Sequence, residues 1–198
     1  GAVLLLARAG EEARLLLTSH DLHGNRQWHR RLPPGVWQVQ LQGPATLAAS
    51  IAPLPCGRSE ARYTATVAGR YELSVRLAGE HTLGSPFMLE VAPGPIDPRR
   101  CVVEGRGPSP LRLHAPAVFV VHASDAWGNR CASEGERWSA RVRQPLSSAT
   151  ATPQVKLRGT ADGACEGTFT PVARGRHTLA VLLGGRPLSG GEIVMDVR

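Results

Sequence analysis

The chain has 198 residues, 42% of them hydrophobic, and a formal net charge of +7, values typical of a globular protein. No apolar run approaches the roughly 18 residues that a membrane-spanning helix needs, so we predict no direct membrane insertion. The basic residues are scattered and aromatic residues make up only 5%, which argues against nucleic-acid binding. The chain begins at Gly1 rather than at a methionine, and we expect it to be part of a longer protein.

The first half of the chain consists of short segments in which apolar and polar residues alternate, as in half-buried β-strands. Residues 21–25 (Asp-Leu-His-Gly-Asn) predict a turn, because Asp and Asn bond to their own backbone and Gly accepts a positive φ. Pro44 ends one strand, since proline cannot donate to a ladder. The predicted strands cover residues 2–6, 13–19, 36–41, 46–51 and 61–65, and a closing β-hairpin covers residues 69–91.

The closing hairpin is the clearest element, because Tyr71, Leu73 and Val75 alternate with polar residues ahead of a Gly-containing turn. The same pattern returns 106 positions later, where Gly175 takes the place of Gly69. We therefore interpret the chain as one unit written twice. Three prolines between residues 93 and 98 predict a short, stiff spacer, and the predicted domains are residues 1–93 and 94–198.

The second half repeats the order of the first. Trp138 corresponds to Trp37, and the turn at residues 125–129 corresponds to the earlier turn. No segment has the helical periodicity, so we predict an all-β chain of two tandem immunoglobulin-like antiparallel β-sandwiches. The predicted strands of this half cover residues 100–103, 117–123, 138–143, 154–158 and 166–170, followed by a second closing hairpin over residues 175–197.

Several short motifs occur in a fixed order along the two copies. They lie at residues 97–101, 105–107, 115–119 and 125–129 of the second copy and at residues 69–71 and 84–87 of the first. In order and spacing they resemble the filamin-type (filamin/ABP280) immunoglobulin-like repeat, and the resemblance covers nearly the whole chain. The second copy departs from the pattern at residues 189–193 and at His177, where tyrosine is usual. Nothing resembles the calponin-type actin-binding head of filamins, so actin binding is not implied.

The resemblance implies a non-enzymatic interaction or scaffold module of a multi-repeat protein. In this family a partner peptide adds as a strand beside strand C, which the resemblance places at residues 36–41 and 138–143, and strand D, at residues 46–51 and 154–157, forms the other wall. The alternative is that these are ordinary edge strands, protected by arginine and proline, in repeats that act as spacers. The candidate partner-binding residues are Val36, Gln38, Val39, Gln40 and Leu41 in the first copy, and Trp138, Ala140, Val142, Gln154, Val155 and Leu157 in the second.

Neither an enzyme nor a cofactor is predicted, because the chain lacks a Gly-x-Ser-x-Gly elbow, a phosphate-binding Walker loop and a dinucleotide-binding glycine motif. His20, Asp21, His23 and His29 surround one turn and are residue types that bind metals. The corresponding turn of the second copy keeps the aspartate but has alanine and tryptophan next to it. We therefore interpret the first turn as a polar loop and predict no metal site.

The four cysteines bear on the compartment of the protein. Alternation of strands in a sandwich places Cys101, Cys131 and Cys165 near one end of the second domain, whereas Cys56 lies in the first domain and is expected to be free. The sequence leaves open a Cys131–Cys165 bridge, a bridge that involves Cys101, or four reduced thiols.

Three functional hypotheses follow. The first is a scaffold that binds other proteins, through extended peptide segments or a surface receptor, and contacts neighbouring repeats; a cytoplasmic or cytoskeletal location is favoured for it. The second is an extracellular adhesion ectodomain of the plant or algal gamete-recognition type, which fits the arginine- and alanine-rich composition and the clustered cysteines. The third is a substrate-binding accessory region of a ubiquitin ligase or glycosyltransferase.

Overall fold

The structure is a computed structural model, and it describes residues 4–21, 23–27, 33, 35–106, 109–145, 152–160 and 163–198. The regular elements of these residues are all β-strands. None of the described residues lies in a helix with the length and apolar character needed to cross a bilayer. The chain divides into two compact units, Gly1–Gly94 (unit 1) and Pro95–Arg198 (unit 2).

Unit 1 is a sandwich of two sheets. The first sheet has the order β1-β9-β7-β3-β4, with the short β8 paired to β7, and the second has the order β2-β6-β5. β1 runs parallel to β9, and the other pairs of unit 1 are antiparallel. The strands are β1 (Leu4–Arg8), β2 (Glu12–Thr18), β3 (Trp37–Gln42), β4 (Leu47–Ala48), β5 (Ser50–Leu54), β6 (Arg58–Thr64), β7 (Gly69–Leu77), β8 (Glu80–His81) and β9 (Phe87–Ala92).

The core of unit 1 follows from the alternation in the sequence. Val39 and Leu41 on β3 are buried, while the intervening Gln40 is exposed. Tyr71 on β7 is buried as well, and its hydroxyl donates a hydrogen bond of 2.8 Å to the carbonyl of Val67. Alternate residues of each strand therefore meet their counterparts from the facing sheet, as in other sandwiches.

Unit 2 repeats this design with different edges. One sheet has the order β10-β11-β14-β13 and the other has the order β12-β15-β16. Phe119 on β11 lies beside Gly167 on β14, and a Cβ at that glycine would overlap the phenyl ring. The strands are β10 (Val102–Arg106), β11 (Ala117–His122), β12 (Trp138–Arg143), β13 (Lys156–Gly159), β14 (Ala164–Phe169), β15 (Gly175–Leu183) and β16 (Arg186–Val197).

The same hydrogen-bonded turn joins the two sheets in both units. Asp21 Oδ1 accepts hydrogen bonds from the backbone N–H groups of His23 (2.9 Å) and Asn25 (2.8 Å). Asp125 Oδ1 accepts the equivalent bonds from Trp127 (2.9 Å) and Asn129 (2.8 Å). The turn that the sequence predicts twice is therefore present twice with the same bonds.

One predicted strand differs from the structure. Residues 46–51 were expected to form a single strand of one sheet, but they divide between β4, which pairs with β3, and β5, which pairs with β6 in the other sheet. The chain changes sheets at Ala49, whose N–H donates to the carbonyl of Val39 at 2.9 Å. Alternation cannot distinguish these arrangements, because the inward residues stay inward when a strand changes sheets.

Candidate partner-binding grooves

The outer edge of β3 in unit 1 is partly covered. β4 pairs with it at Gln40 and Leu41, and Ala49 N–H bonds to Val39 O. On its other side β3 pairs with β7 over its whole length, from Trp37 to Gln42. An added strand could therefore reach the first half of β3 only, unless it displaced β4.

The predicted binding residues of unit 1 divide between the core and the outer face. Val39 and Leu41 point into the core, and Val36 is half-buried with its carbonyl bonded to Ala78 N–H at 2.8 Å. Gln38 and Gln40 project from the opposite face of the sheet. This exposed face forms a shallow polar depression lined by Gln38, Gln40, Gln42, Glu72, Ser74, Arg76, His81 and Pro86.

The corresponding edge in unit 2 has a different environment. β12 pairs with β15 from Trp138 to Arg143, and none of the other described strands pairs with it. Gly184 N–H bonds to Arg137 O at 2.9 Å, in the same register as the β12–β15 pairs. In an antiparallel ladder every second residue bonds to the neighbouring strand, so the odd-numbered residues of β12 bond to β15. The N–H groups of Ala140 and Val142 therefore face the outer edge.

An apolar seam lies between β12 and the opposite sheet of unit 2. Val142 is buried, with 1% of its surface exposed, whereas Gln154 is exposed at the end of the seam. The indole N–H of Trp138 donates to the carbonyl of Ser133 at 3.3 Å, which fixes the ring at one end. The half-buried apolar residues that line the seam and pack against the core are Trp138, Ala140, Val155 and Leu157.

Basic side chains border this seam. Arg141 and Arg143 are exposed on β12, and Lys156 and Arg158 are exposed on β13. The corresponding outward positions on β3 of unit 1 are glutamines. The edge of unit 2 therefore exposes basic groups that would favour acidic groups on a partner, whereas the outward positions of β3 in unit 1 are uncharged.

The cysteines of unit 2 are buried free thiols. No bridge joins Cys131 to Cys165 or to Cys101 in the structure, and Cys56 of unit 1 is exposed and free. Cys101 Sγ donates to Asp97 O at 3.4 Å, and Cys131 Sγ to Asn129 O at 3.5 Å. Burial, together with the nearby Asp125 carboxylate, raises the pKa of Cys131 to about 11. The two bridges that the sequence left open stay predictions.

The aspartate of the histidine-rich turn in unit 1 has a structural role. Both carboxylate oxygens of Asp21 accept hydrogen bonds within the turn, and those from Asn25 lower the pKa of this carboxyl group. Among the described residues no three or more His, Cys, Asp or Glu side chains are grouped so as to hold a metal ion. His29, the remaining candidate ligand, lies outside the described residues.

Comparison with known proteins identifies the repeat. A family model described as the Filamin/ABP280 repeat matches residues 3–88 and again residues 95–192. The chain is 28% identical over 132 residues to Filamin-C of Mus musculus and to Filamin-C of Rattus norvegicus. The aligned part is 67% of this chain but only 4% of either relative, so the chain spans a small fraction of the relatives it matches.

Solved structures share the fold over nearly the whole chain. The Escherichia coli adhesin FdeC matches 98% of this chain and 61% of its own, with a TM-score of 0.63 and 19% identity. InvD of Yersinia pseudotuberculosis matches 98% of this chain and 55% of its own, with a TM-score of 0.55 and 20% identity. The filamin-type repeat is a structural and interaction module rather than an enzyme. The chain belongs to the filamin repeat family, as two tandem Filamin/ABP280 repeats of immunoglobulin-like fold.

Proposed function

We propose that unit 2 binds an extended peptide of a partner protein by strand addition at the outer edge of β12. The observation that carries this proposal is the pairing of β12, which among the described strands bonds to β15 alone. The N–H groups of Ala140 and Val142 face that edge, so a peptide strand finds backbone partners there. Main-chain hydrogen bonds of this kind supply affinity regardless of the partner's side chains.

The two faces of the added strand meet different surroundings. One set of alternate side chains lies over the apolar seam, next to Ala140 and Leu157. The other set lies on the outer face beside Arg141 and Arg143. The preferred partner is therefore an extended segment in which apolar residues alternate with acidic ones.

Unit 1 has a spacer role in this proposal. β4 already occupies the second half of the β3 edge, and displacing it would break the bond from Ala49 to Val39. The outward glutamines offer no charge to a partner strand. Binding is accordingly assigned to unit 2, and unit 1 is assigned the role of a spacer.

The test uses capped ten-residue peptides with a fluorescent label. A peptide of alternating valine and glutamate should bind saturably to the whole chain, whereas a peptide of alternating valine and lysine should not. Ala140→Pro removes an N–H that β15 does not use, and should weaken binding at least about tenfold without unfolding the unit. Arg141→Glu should also weaken it, while Arg112→Glu is a matched charge reversal on an exposed arginine outside the groove. Equal affinity for both peptides, or unchanged binding by Ala140→Pro, would contradict the proposal.

A further inference from the structure

The polar depression on the outer face of unit 1 is built by the register of β3 on β7. This register places three cross-strand pairs on the outer face: Gln38 with Arg76, Gln40 with Ser74, and Gln42 with Glu72. The three glutamines form a row along β3, here called the glutamine row. On the other side of β7, His81 pairs with Arg76, and Pro86 also lines the depression. Because the short side chain of Ser74 stands among longer ones, the face is hollow at its centre, with a volume of about 370 Å³.

The guanidinium group of Arg76 is held in place by a chain of hydrogen bonds. Its Nη2 donates to His81 Nε2 at 3.0 Å, because a guanidinium group has no acceptor atom. The Nδ1 atom of that imidazole therefore carries the ring proton and donates to Ser85 Oγ at 2.9 Å. Ser85 Oγ also accepts from the backbone N–H of Val75 at 2.9 Å, so the chain ends on β7. Arg76 thus presents its other N–H groups to the depression from a fixed position.

The hydrogen-bonding groups of the depression are balanced between donors and acceptors. Each amide of the glutamine row carries one acceptor oxygen and two donor hydrogens. Arg76 only donates, while the carboxylate of Glu72, two rows away on the same face of β7, only accepts. The two charges cancel, in contrast to the arginine-bordered edge of β12. The ligand that fits this surface is therefore uncharged and carries several groups that can both donate and accept.

We infer that this outer face of unit 1 is a binding site for a short neutral oligosaccharide. Each sugar hydroxyl both donates and accepts hydrogen bonds, so it can accept from Arg76, donate to Glu72 or do either with an amide. The glutamine row is about 13 Å long, at about 3.3 Å per residue of strand, and it can therefore contact more than one sugar ring.

Apolar surface at the border of the depression completes the site. Met88 on β9 stands opposite Glu72 and has 43% of its surface exposed, and Pro86 is exposed as well. The C–H face of a pyranose ring can pack on these two side chains while its hydroxyls reach the polar groups. A peptide strand fits this surface less well, because the backbone N–H groups of β3 and β7 lie in the plane of the sheet and not on its face.

The corresponding face of unit 2 carries different side chains. Ser139 and two arginines stand on β12 in place of the glutamine row. Ala180 and Leu182 stand on β15 in place of Ser74 and Arg76. Oligosaccharide binding is therefore assigned to unit 1, and it is independent of the peptide binding proposed for the β12 edge.

The experiment titrates the isotope-labelled whole chain with cellotriose, maltotriose and mannotriose, and follows the side-chain amide resonances of the glutamine row by NMR. At least one of these trisaccharides should shift the three resonances saturably, with a single dissociation constant. Arg76→Ala should raise that constant at least about tenfold, because it removes a charged donor. Arg70→Ala is the matched control, since this arginine is exposed on the same face of β7 but is not among the residues that line the depression. Ser74→Leu should abolish binding by filling the centre, while the backbone spectrum shows that unit 1 remains folded.

Three outcomes would overturn the inference. The first is that none of the trisaccharides shifts the glutamine amides, or that the shifts grow linearly to the highest concentration. The second is that Arg76→Ala and Arg70→Ala have equal effects. The third is that the valine–glutamate peptide shifts the same amides, which would assign this face to a protein partner. The two proposals fail separately, because Ala140→Pro should leave trisaccharide binding unchanged and Arg76→Ala should leave peptide binding unchanged.

Discussion

Two neighbouring positions hold different residues in the two units, and exchanging them tests how each core is packed. In unit 1 the ring of Tyr71 covers Gly43, and a Cβ at that glycine would lie 2.5 Å from the carbonyl oxygen of Arg70 and 2.8 Å from Tyr71 Cδ1. In unit 2 the equivalent positions hold Gln144 and His177. Because a glutamine brings the Cβ that the tyrosine excludes, the smaller imidazole fits there. We predict that His177→Tyr destabilises unit 2 by itself and is tolerated when combined with Gln144→Gly.

The magnitudes follow from the contacts. His177→Tyr alone overpacks the site and should lower the free energy of unfolding by about 1–3 kcal/mol. Gln144→Gly alone costs backbone entropy and the contacts of the glutamine. In the double variant the tyrosine hydroxyl reaches the carbonyl of Ala173, as Tyr71 reaches Val67, and adds about 1 kcal/mol. It also replaces His177 Nε2, which is buried without a hydrogen-bond partner in the structure. The coupling energy should therefore be favourable by at least about 1 kcal/mol.

Amide hydrogen exchange is the appropriate assay, because exchange at β15 reports the opening of unit 2 separately from unit 1. The parent chain, both single variants and the double variant complete the cycle. Tyr71→Phe serves as the control in unit 1 and should cost about 1 kcal/mol, since it removes one hydrogen bond without adding volume. If the effects of the two single variants add within about 0.5 kcal/mol, the steric explanation is wrong.

Three further predictions concern the core, the thiols and the pH. Gly167→Ala should destabilise unit 2 by about 1–3 kcal/mol in urea denaturation, because the added Cβ overlaps the ring of Phe119. Gly128→Ala is the comparison variant, since its Cβ meets no atom within 4 Å and its only cost is the strain of a backbone with φ of 87°. Iodoacetamide at pH 7 should modify the exposed Cys56 well before Cys131, as peptide mass spectrometry would reveal; the reverse order would contradict the burial. The pKa of Cys131 in the folded chain is about 11, above its usual value of 9, so its contribution to the free energy of unfolding is complete below pH 9 and is lost as the pH rises to 11. The free energy of unfolding of the parent chain should therefore fall between pH 9 and pH 11 relative to that of Cys131→Ala. Parallel pH profiles of the two chains over this range would contradict the prediction.

Sequence patterns predict the strands well because alternation is a local property. Tyr71, Leu73 and Val75 are buried, as their period of two requires. The duplicated turns are equally local, since Asp21 and Asp125 bond to residues within four positions. Strand positions and turn chemistry therefore follow from short windows of sequence.

The candidate binding edge could not be predicted as fully, because the residues of a strand do not show whether another strand pairs with its outer edge. Leu41 and Val142 occupy corresponding places on β3 and β12 and look alike in the sequence, yet Leu41 pairs with a residue of β4, whereas none of the described strands pairs with the outer edge of β12. The polar residues between strands, which decide this covering, carry no periodic signal.

The described strands of the two units share the same alternation but differ in the pairing of one edge. β4 pairs with β3 in unit 1, whereas none of the described strands pairs with the outer edge of β12 in unit 2. A core tolerates little change, because each buried side chain contacts many others. An edge strand can gain or lose a neighbour while the sandwich remains intact. Under the proposed function, the pairing of the edges, more than the identity of the core residues, therefore determines which repeat binds a partner.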